Sequence, residues 1–220
     1  MINIYLLTLE LFVCLAIMMI LYKFFKENGL YAYSIVTFIL SNMMTLKIIP
    51  LSDFDINLGI VPLTTIFIAS NIIVQKQGKE EIKKLSLILV AASCISFGII
   101  YLTSILKSSN INLFINRSFD NIFMGSERIY FANIVTILYS ILLNSKLYSY
   151  LKSVKNQIWV SNIFSSIIIQ FLVSILFTIT AYTFVKEPMY ILQLVVIRYM
   201  ISLISSIIGT INIYIGSKIK

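Results

Sequence analysis

Seven runs of mostly apolar residues, each close to the length that crosses a lipid bilayer as a helix, constrain this chain more than any other feature. They lie at approximately 4–24, 30–51, 58–74, 85–106, 129–151, 159–182 and 189–215. A membrane-spanning helix needs about 20 such residues. Only 12% of the 220 residues are charged, which is too little polar surface for a water-soluble domain of this length. We therefore predict an all-α fold, a polytopic membrane helix bundle of six to seven transmembrane helices, in one integral membrane domain over residues 1–220.

Basic residues are concentrated in every second connection between the runs. One side of the predicted bundle collects Lys23, Lys26, Lys76, Lys79, Lys83, Lys84, Lys146, Lys152, Lys155, Lys218 and Lys220. The other side has Lys47, Lys107, Arg117, Arg128 and Lys186, offset by Asp53, Asp55, Asp120, Glu127 and Glu187. Cytoplasmic connections of membrane proteins are rich in lysine and arginine. We expect a multi-pass protein of the cell (inner) membrane with a cytoplasmic C-terminus and an outside N-terminus. This bias explains the net charge of +8 without a nucleic-acid partner, and membrane lipids are the expected surroundings.

The composition argues against catalysis. Histidine is absent, and the two cysteines, Cys14 and Cys94, lie inside apolar runs, which leaves no zinc ligand set and no histidine base. The sequence also has no nucleophile–base pair, no paired carboxylates and no glycine-rich phosphate loop. We predict that the protein is not an enzyme and has neither cofactor nor metal.

Polar residues recur inside the apolar runs at helical spacing. The series are Ser41, Asn42 and Thr45; Asn71 and Gln75; Asn133, Thr136, Ser140 and Asn144; Asn162, Ser166, Gln170 and Ser174; and Arg198, Ser202, Ser205, Gly209 and Asn212. Residues three or four apart lie on one side of a helix. Lipid cannot satisfy an amide, so the amides face either other helices, as interhelical hydrogen bonds, or a polar cavity. For the asparagines and glutamines in these series, we favour the interpretation that they line a polar cavity.

Ionisable residues at membrane depth are few. Glu10 is the only acid well inside a run, and it is near an end, so we find no proton relay. Arg198 is the one cation that the pattern places inside the bundle. Two roles are consistent with its position. As a functional residue, Arg198 pairs with an anionic or carbonyl-bearing ligand. As a structural residue, it extends to the outer interface or binds Glu187 or a backbone carbonyl.

Four blocks of the sequence are similar to a known family. They are SNMMTLKIIP (41–50), GIVPLTTIFIASNIIVQKQGKEEIKK (59–84), ERIYFANIVTILYSILLNSKLYSYLK (127–152) and IWVSNIFSSIIIQFLVSILF (158–177). In order and spacing they resemble the queuosine-precursor transporter family, which is one of the vitamin-uptake-type membrane proteins. The resemblance makes residues 30–216 the family-like core and residues 1–26 an additional N-terminal helix.

The resemblance implies import of 7-deazaguanine bases, such as preQ0, preQ1 or queuine, that feed a tRNA modification. The family's site positions match Asn42, Arg128, Asn133, Asn162, Ser166 and Gln170. Where the family has acids, this chain has Asn71, Gln75 and Asn144, and where the family has lysine it has Ile201, one turn from Arg198. These changes remove charge and indicate a changed ligand or a loss of proton coupling. The expected substrate-binding residues are Asn42, Asn71, Gln75, Arg128, Asn133, Asn144, Asn162, Ser166, Gln170 and Arg198.

Three functions are consistent with these observations. The first is a transporter that imports a small nucleobase-like molecule, most simply a queuosine precursor. The second is the substrate-binding subunit of an energy-coupling-factor type vitamin importer, which would need a separate energising module. The third is a non-transporting membrane scaffold whose amides only join helices. A homo-oligomer is compatible with all three.

Overall fold

The computed structural model describes residues 2–51, 54–107, 109 and 111–219. Within these residues the fold has seven helices and one two-stranded sheet. In chain order they are α1 (Ile2–Met44), β1 (Ile48–Leu51), β2 (Phe54–Asn57), α2 (Ile60–Gln77), α3 (Glu81–Ser104), α4 (Leu113–Phe123), α5 (Glu127–Lys155), α6 (Ile158–Tyr182) and α7 (Pro188–Lys218). Five of the helices, α1, α3, α5, α6 and α7, are long and apolar enough to cross a membrane. The prediction of an all-α polytopic membrane bundle is confirmed.

Helix α1 folds back on itself and accounts for the first two apolar runs. Lys26 has φ 52° and ψ −137°, which breaks the helical path between residues 2–25 and 27–44. A Cβ on Gly29 would lie 2.2 Å from the carbonyl oxygen of Leu21, so the two halves are in close contact and only glycine fits there. At the far end, the Asn3 side-chain amide donates to the carbonyl of Pro50 at 2.8 Å. The two halves of α1 therefore run antiparallel.

The second run ends earlier than predicted. Helix α1 stops at Met44, and residues 48–51 form β1, which pairs antiparallel with β2. The difference has a physical reason, because Pro50 cannot sit inside a helix but is tolerated in a short edge strand. The pairing joins Ile48 to Asn57 and Leu51 to Phe54. Asp53 and Lys220, which the sequence assigned to the two ends of the bundle, lie outside the described residues.

The long connection after α3 contains a helix that the sequence analysis did not predict. Helix α4 has polar Arg117 and Asp120 on one side, and several of its apolar side chains, among them Phe114 and Ile122, are exposed, whereas Phe123 is buried. The apolar residues of LFINRSFDNIF recur at helical spacing, and this was the signal available in the sequence.

Helix α2 occupies the centre of the bundle. All residues from 60 to 74 are buried, and α1, α3, α5 and α7 pack against it. The approach of α7 depends on Gly209, where a Cβ would lie 2.0 Å from the Cδ1 atom of Ile68. Because α2 is enclosed by protein, its exposure to lipid is minimal.

The connections separate to the two ends of the bundle. At one end the Lys76 ammonium donates to the carbonyls of Ser217 and Ile219, and the Tyr31 hydroxyl bonds Glu81. We call this the lysine-rich end. At the opposite end Tyr190 donates to Asp55 at 3.1 Å. Successive connections therefore alternate between the two ends of the bundle, as the positions of the lysines in the sequence indicate.

Candidate functional site

Two groups of buried polar side chains differ in their hydrogen bonding. The first, the amide network, consists of Asn71, Asn144, Asn162 and Thr210. The second, the unpaired cluster, consists of Asn133, Thr136, Gln170, Thr178, Arg198 and Ser202. Both groups lie on buried faces of α5, α6 and α7, and the network also includes α2.

The amide network joins four helices through direct hydrogen bonds. The Asn144 amide of α5 donates to Asn71 Oδ1 of α2 at 2.8 Å, and the Asn71 amide donates to Asn162 Oδ1 of α6 at 2.8 Å. The Asn162 amide in turn donates to Thr210 Oγ1 at 2.8 Å and to the Ser206 carbonyl of α7 at 3.1 Å. Each amide is a donor to the next helix, so the network satisfies groups that lipid could not.

Gln75 extends this pairing toward the lysine-rich end. It lies one turn after Asn71 on α2, and its amide donates to the hydroxyl of Tyr148 on α5. Tyr148 is itself one turn after Asn144. The network therefore lies in the half of the bundle that contains the end of α2, the end of α5 and the start of α6.

The unpaired cluster is as deeply buried as the network but lacks its hydrogen bonds. Within the described part of the chain, Asn133 Nδ2 and Oδ1, Gln170 Oε1 and the Thr136, Thr178 and Ser202 hydroxyls have no hydrogen-bond partner. Thr136 lies on α5, Thr178 on α6 and Ser202 on α7, so three helices contribute. A buried polar group without a partner costs about 1–3 kcal/mol. Ordered water or a ligand can supply the partners that these groups lack.

Arg198 is the only charged residue of the cluster. It is 1% exposed, and its guanidinium carbon lies 3.9 Å from the ring centroid of Phe177. Its Nε and Nη1 atoms have no acceptor among the described residues. Arg198 is ten residues into α7, which at the helical rise places it about 15 Å from the start of the helix. Because the Arg198 side chain is buried within the bundle, it does not extend to the outer interface.

Residues 57–216 match the family model described as "Putative vitamin uptake transporter". The chain belongs to this family. No curated protein and no solved structure matches the chain. The family assignment agrees with the apolar helices of the bundle, and together they indicate a multi-pass membrane transporter of the vitamin-uptake type.

The matched region of this transporter holds nine of the ten expected site residues. The tenth, Asn42, lies before it, and its amide donates to Ser93 Oγ of α3 at 2.9 Å. Arg128 is inside the matched region, yet it is exposed at the end opposite the lysines, where it donates to the Thr183 carbonyl at 2.7 Å. The structure therefore does not bring Asn42 and Arg128 into either polar group.

The remaining expected residues divide between the two groups. Asn71, Asn144 and Asn162 form the network, with Gln75 beside it, whereas Asn133, Gln170 and Arg198 belong to the unpaired cluster. Ser166 is buried on α6 between Asn162 and Gln170.

Sequence reasoning missed three polar residues of this transporter, and one of them, Thr210, follows Gly209 of the predicted series on α7. Thr178 continues the four-residue spacing that runs from Asn162 to Ser174, and Tyr148 continues the series that ends at Asn144. In both places the signal was the helical spacing, which extends one turn beyond the residues that were singled out.

Proposed function

We propose that this transporter imports a small nucleobase-like molecule, and that the molecule is a queuosine precursor of the 7-deazaguanine class, such as preQ0, preQ1 or queuine. The observation that supports this proposal is the unpaired cluster between α5, α6 and α7. The family supports transport of a vitamin-like compound. The four sequence blocks that resemble queuosine-precursor transporters support a 7-deazaguanine base as that compound.

The unpaired atoms suit the edge of a guanine-like base. Such a base has a carbonyl acceptor next to an N–H donor, and an exocyclic amine beside them. Asn133 has one free donor and one free acceptor, which can pair with the carbonyl and the ring N–H together. The free Gln170 Oε1 can accept from the exocyclic amine. The ligand would then supply hydrogen bonds that the protein interior lacks.

The lysine-rich end supports an orientation for import. We propose that this end, with the C-terminal part of α7, faces the cytoplasm of a cell with a single or inner membrane. The unpaired cluster lies toward the other end, since Thr178 is four residues before the end of α6. A ligand that arrives from outside then meets the cluster before the amide network.

Uptake in cells that cannot synthesise queuosine precursors tests the function. Cells that express the chain are fed preQ0, preQ1 or queuine in turn, and the queuosine content of their tRNA is measured. We expect queuosine with at least one precursor, and loss of most of it in Gln170→Leu, which removes the free acceptor. The matched control is Gln157→Leu, because Gln157 is exposed at the start of α6. If no precursor restores queuosine in cells where the chain is present in the membrane, the proposal is wrong.

A second measurement addresses whether the chain transports alone. We expect the purified protein in proteoliposomes to accumulate the same precursor without an added ATPase. Uptake only in the presence of a copurifying ATPase and coupling subunit would assign this chain to the energy-coupling-factor type instead.

A further inference from the structure

Arg198 has no counterion among the residues that the structure describes. Of the residues that the structure describes, only Lys83 with Glu80 and Lys84 with Glu81 form ion pairs, and both pairs lie at the lysine-rich end. The one acid inside a predicted span, Glu10, lines a separate cavity with Asn3 and Lys47. A buried charge without a partner is among the most costly groups in a membrane interior, and it marks a functional site.

The groups around Arg198 are aromatic or neutral. Its guanidinium stacks on Phe177, which in turn packs edge-on against Tyr182 at 6.1 Å between ring centroids. The Tyr182 hydroxyl accepts a hydrogen bond from the Asn57 amide at 2.8 Å. The other members of the unpaired cluster are amides and hydroxyls, which carry no charge. Among the described residues, nothing compensates the positive charge of Arg198.

We propose that Arg198 binds an anionic or strongly hydrogen-bond-accepting substituent of the transported molecule, and that the site rejects a ligand with an ammonium group at that position. The inference rests on the proposed function and narrows it. Among 7-deazaguanines it predicts that a 7-carboxyl or 7-cyano group is accepted and a 7-aminomethyl group is not.

The physical reason is the sign of the charge. An anion or a nitrile nitrogen accepts from the free guanidinium N–H groups, and a hydrogen bond that involves a charged group is about twice as strong as a neutral one. An ammonium would meet a like charge where little water is available to screen it, and it would leave the guanidinium without an acceptor. Selection at this position therefore follows from electrostatics, whichever part of the base the amides bind.

Binding to the purified full-length protein tests the inference with two matched sets of probes. The first set is 7-deazaguanine with a 7-carboxyl, 7-cyano or 7-aminomethyl group. The second is pyridine with a carboxylate, carboxamide or aminomethyl group at position 3, which keeps one small ring and changes only the charge. Affinity is measured by competition or by ligand-induced thermal stabilisation. We expect the carboxylate to bind about 10- to 100-fold more tightly than the ammonium in each set that binds.

Variants at Arg198 separate recognition from folding. In Arg198→Gln the preference for the carboxylate should disappear, and in Arg198→Lys, which keeps the charge, most of it should remain. Arg198→Gln should also unfold at the same temperature as the wild type or higher when no ligand is present, because it removes an unpaired buried charge. Arg117→Gln is the matched control, since Arg117 is exposed on α4.

The two probe sets distinguish failure of the inference from failure of the proposed function. If the pyridines follow the predicted order and no 7-deazaguanine binds, the inference holds and the queuosine-precursor proposal is wrong. If 7-deazaguanines bind equally well with either charge, or Arg198→Gln leaves their order unchanged, the inference is wrong and the proposed function stands. If neither set binds, both are overturned.

Discussion

Asn71 and Asn133 are the same residue type, each 1% exposed inside the bundle, yet their side chains are in opposite situations. Asn71 donates to one helix and accepts from another, whereas both polar atoms of Asn133 lack a partner. The amide network and the unpaired cluster repeat this difference on a larger scale. A buried amide in a membrane protein is therefore not evidence of a binding site by itself, and its hydrogen bonding has to be known as well.

This difference in hydrogen bonding predicts that the same kind of substitution has different effects on stability and on ligand binding in the two groups. Removing a network residue leaves neighbouring amides unpaired, so it should reduce stability. Removing a cluster residue leaves few new unpaired groups, so it should spare stability and affect the ligand. Four predictions test this contrast, from the largest expected effect to the smallest.

Asn71→Leu should destabilise the protein by about 1–3 kcal/mol. It removes two hydrogen bonds, which leaves the Asn162 oxygen unpaired and the Asn144 amide with only the Ser70 hydroxyl at 3.5 Å. Interhelical bonds in membranes are worth only about 0.6 kcal/mol on average. Unfolding by sodium dodecyl sulfate in mixed micelles, followed by the fluorescence of Trp159, the only tryptophan, measures the change. Asn133→Leu is the matched substitution and should not destabilise. Equal destabilisation of both variants would remove the distinction between network and cluster.

Asn133→Leu should instead lower uptake of the transported base about 30-fold, because the ligand loses a donor and an acceptor, each worth about 1 kcal/mol. The measurement is initial uptake rate at a substrate concentration below KM, with protein amount in the membrane determined for each variant. Asn121→Leu, on the exposed surface of α4, is the control. Undiminished uptake by Asn133→Leu would place the base outside the cluster.

Threonine-to-valine substitutions compare the two regions at nearly constant volume. Thr210→Val removes one of the two acceptors of the Asn162 amide and should destabilise by about 0.5–1.5 kcal/mol. Thr136→Val removes a buried hydroxyl with no partner and should leave stability unchanged or raise it by up to about 1 kcal/mol. Thermal unfolding of both variants in the same detergent checks the signs. The contrast is contradicted if Thr136→Val is the more damaging of the two.

The smallest effect concerns the end of the network. Gln75 and Tyr148 share one hydrogen bond and Gln75 is partly exposed, so a double-mutant cycle with Gln75→Leu and Tyr148→Phe should give a coupling of about 0.5 kcal/mol. A coupling well above this value would extend the tightly bonded network to the lysine-rich end, and a coupling of zero would end the network at Asn71.

The sequence predicted the helices well because lipid imposes a simple length and hydrophobicity requirement on each span. It placed α6 and α7 within a few residues, and it placed Asn71, Asn144 and Gln170 in the interior by their spacing. It did not predict β1, since an apolar run that includes Pro50 still looks like part of a span. It also predicted one polar site where the structure has two groups. Spacing fixes the side of a helix on which a residue lies, but which amide meets which depends on the relative depth of four helices.

Arg198 shows a further limit of sequence reasoning. The sequence left open whether its charge reaches the interface or stays inside, because the length of an arginine side chain permits both. Packing on Phe177 decides this, and Phe177 is part of an apolar pattern that gives no sign of contact with a cation.

Helix α2 carries a consequence for how the chain enters the bilayer. It is not among the helices apolar enough to cross a membrane by themselves, and every residue from 60 to 74 is covered by protein. Its earliest neighbours are in α1, where the Tyr33 hydroxyl bonds Thr65 at 2.6 Å and Ser41 donates to the Gly59 carbonyl at 2.7 Å. Because α1 is synthesised first, the antiparallel pair of helices is already in place when α2 emerges. Helix α2 thus inserts against protein, and residues that precede the family match protect the central helix of the family fold.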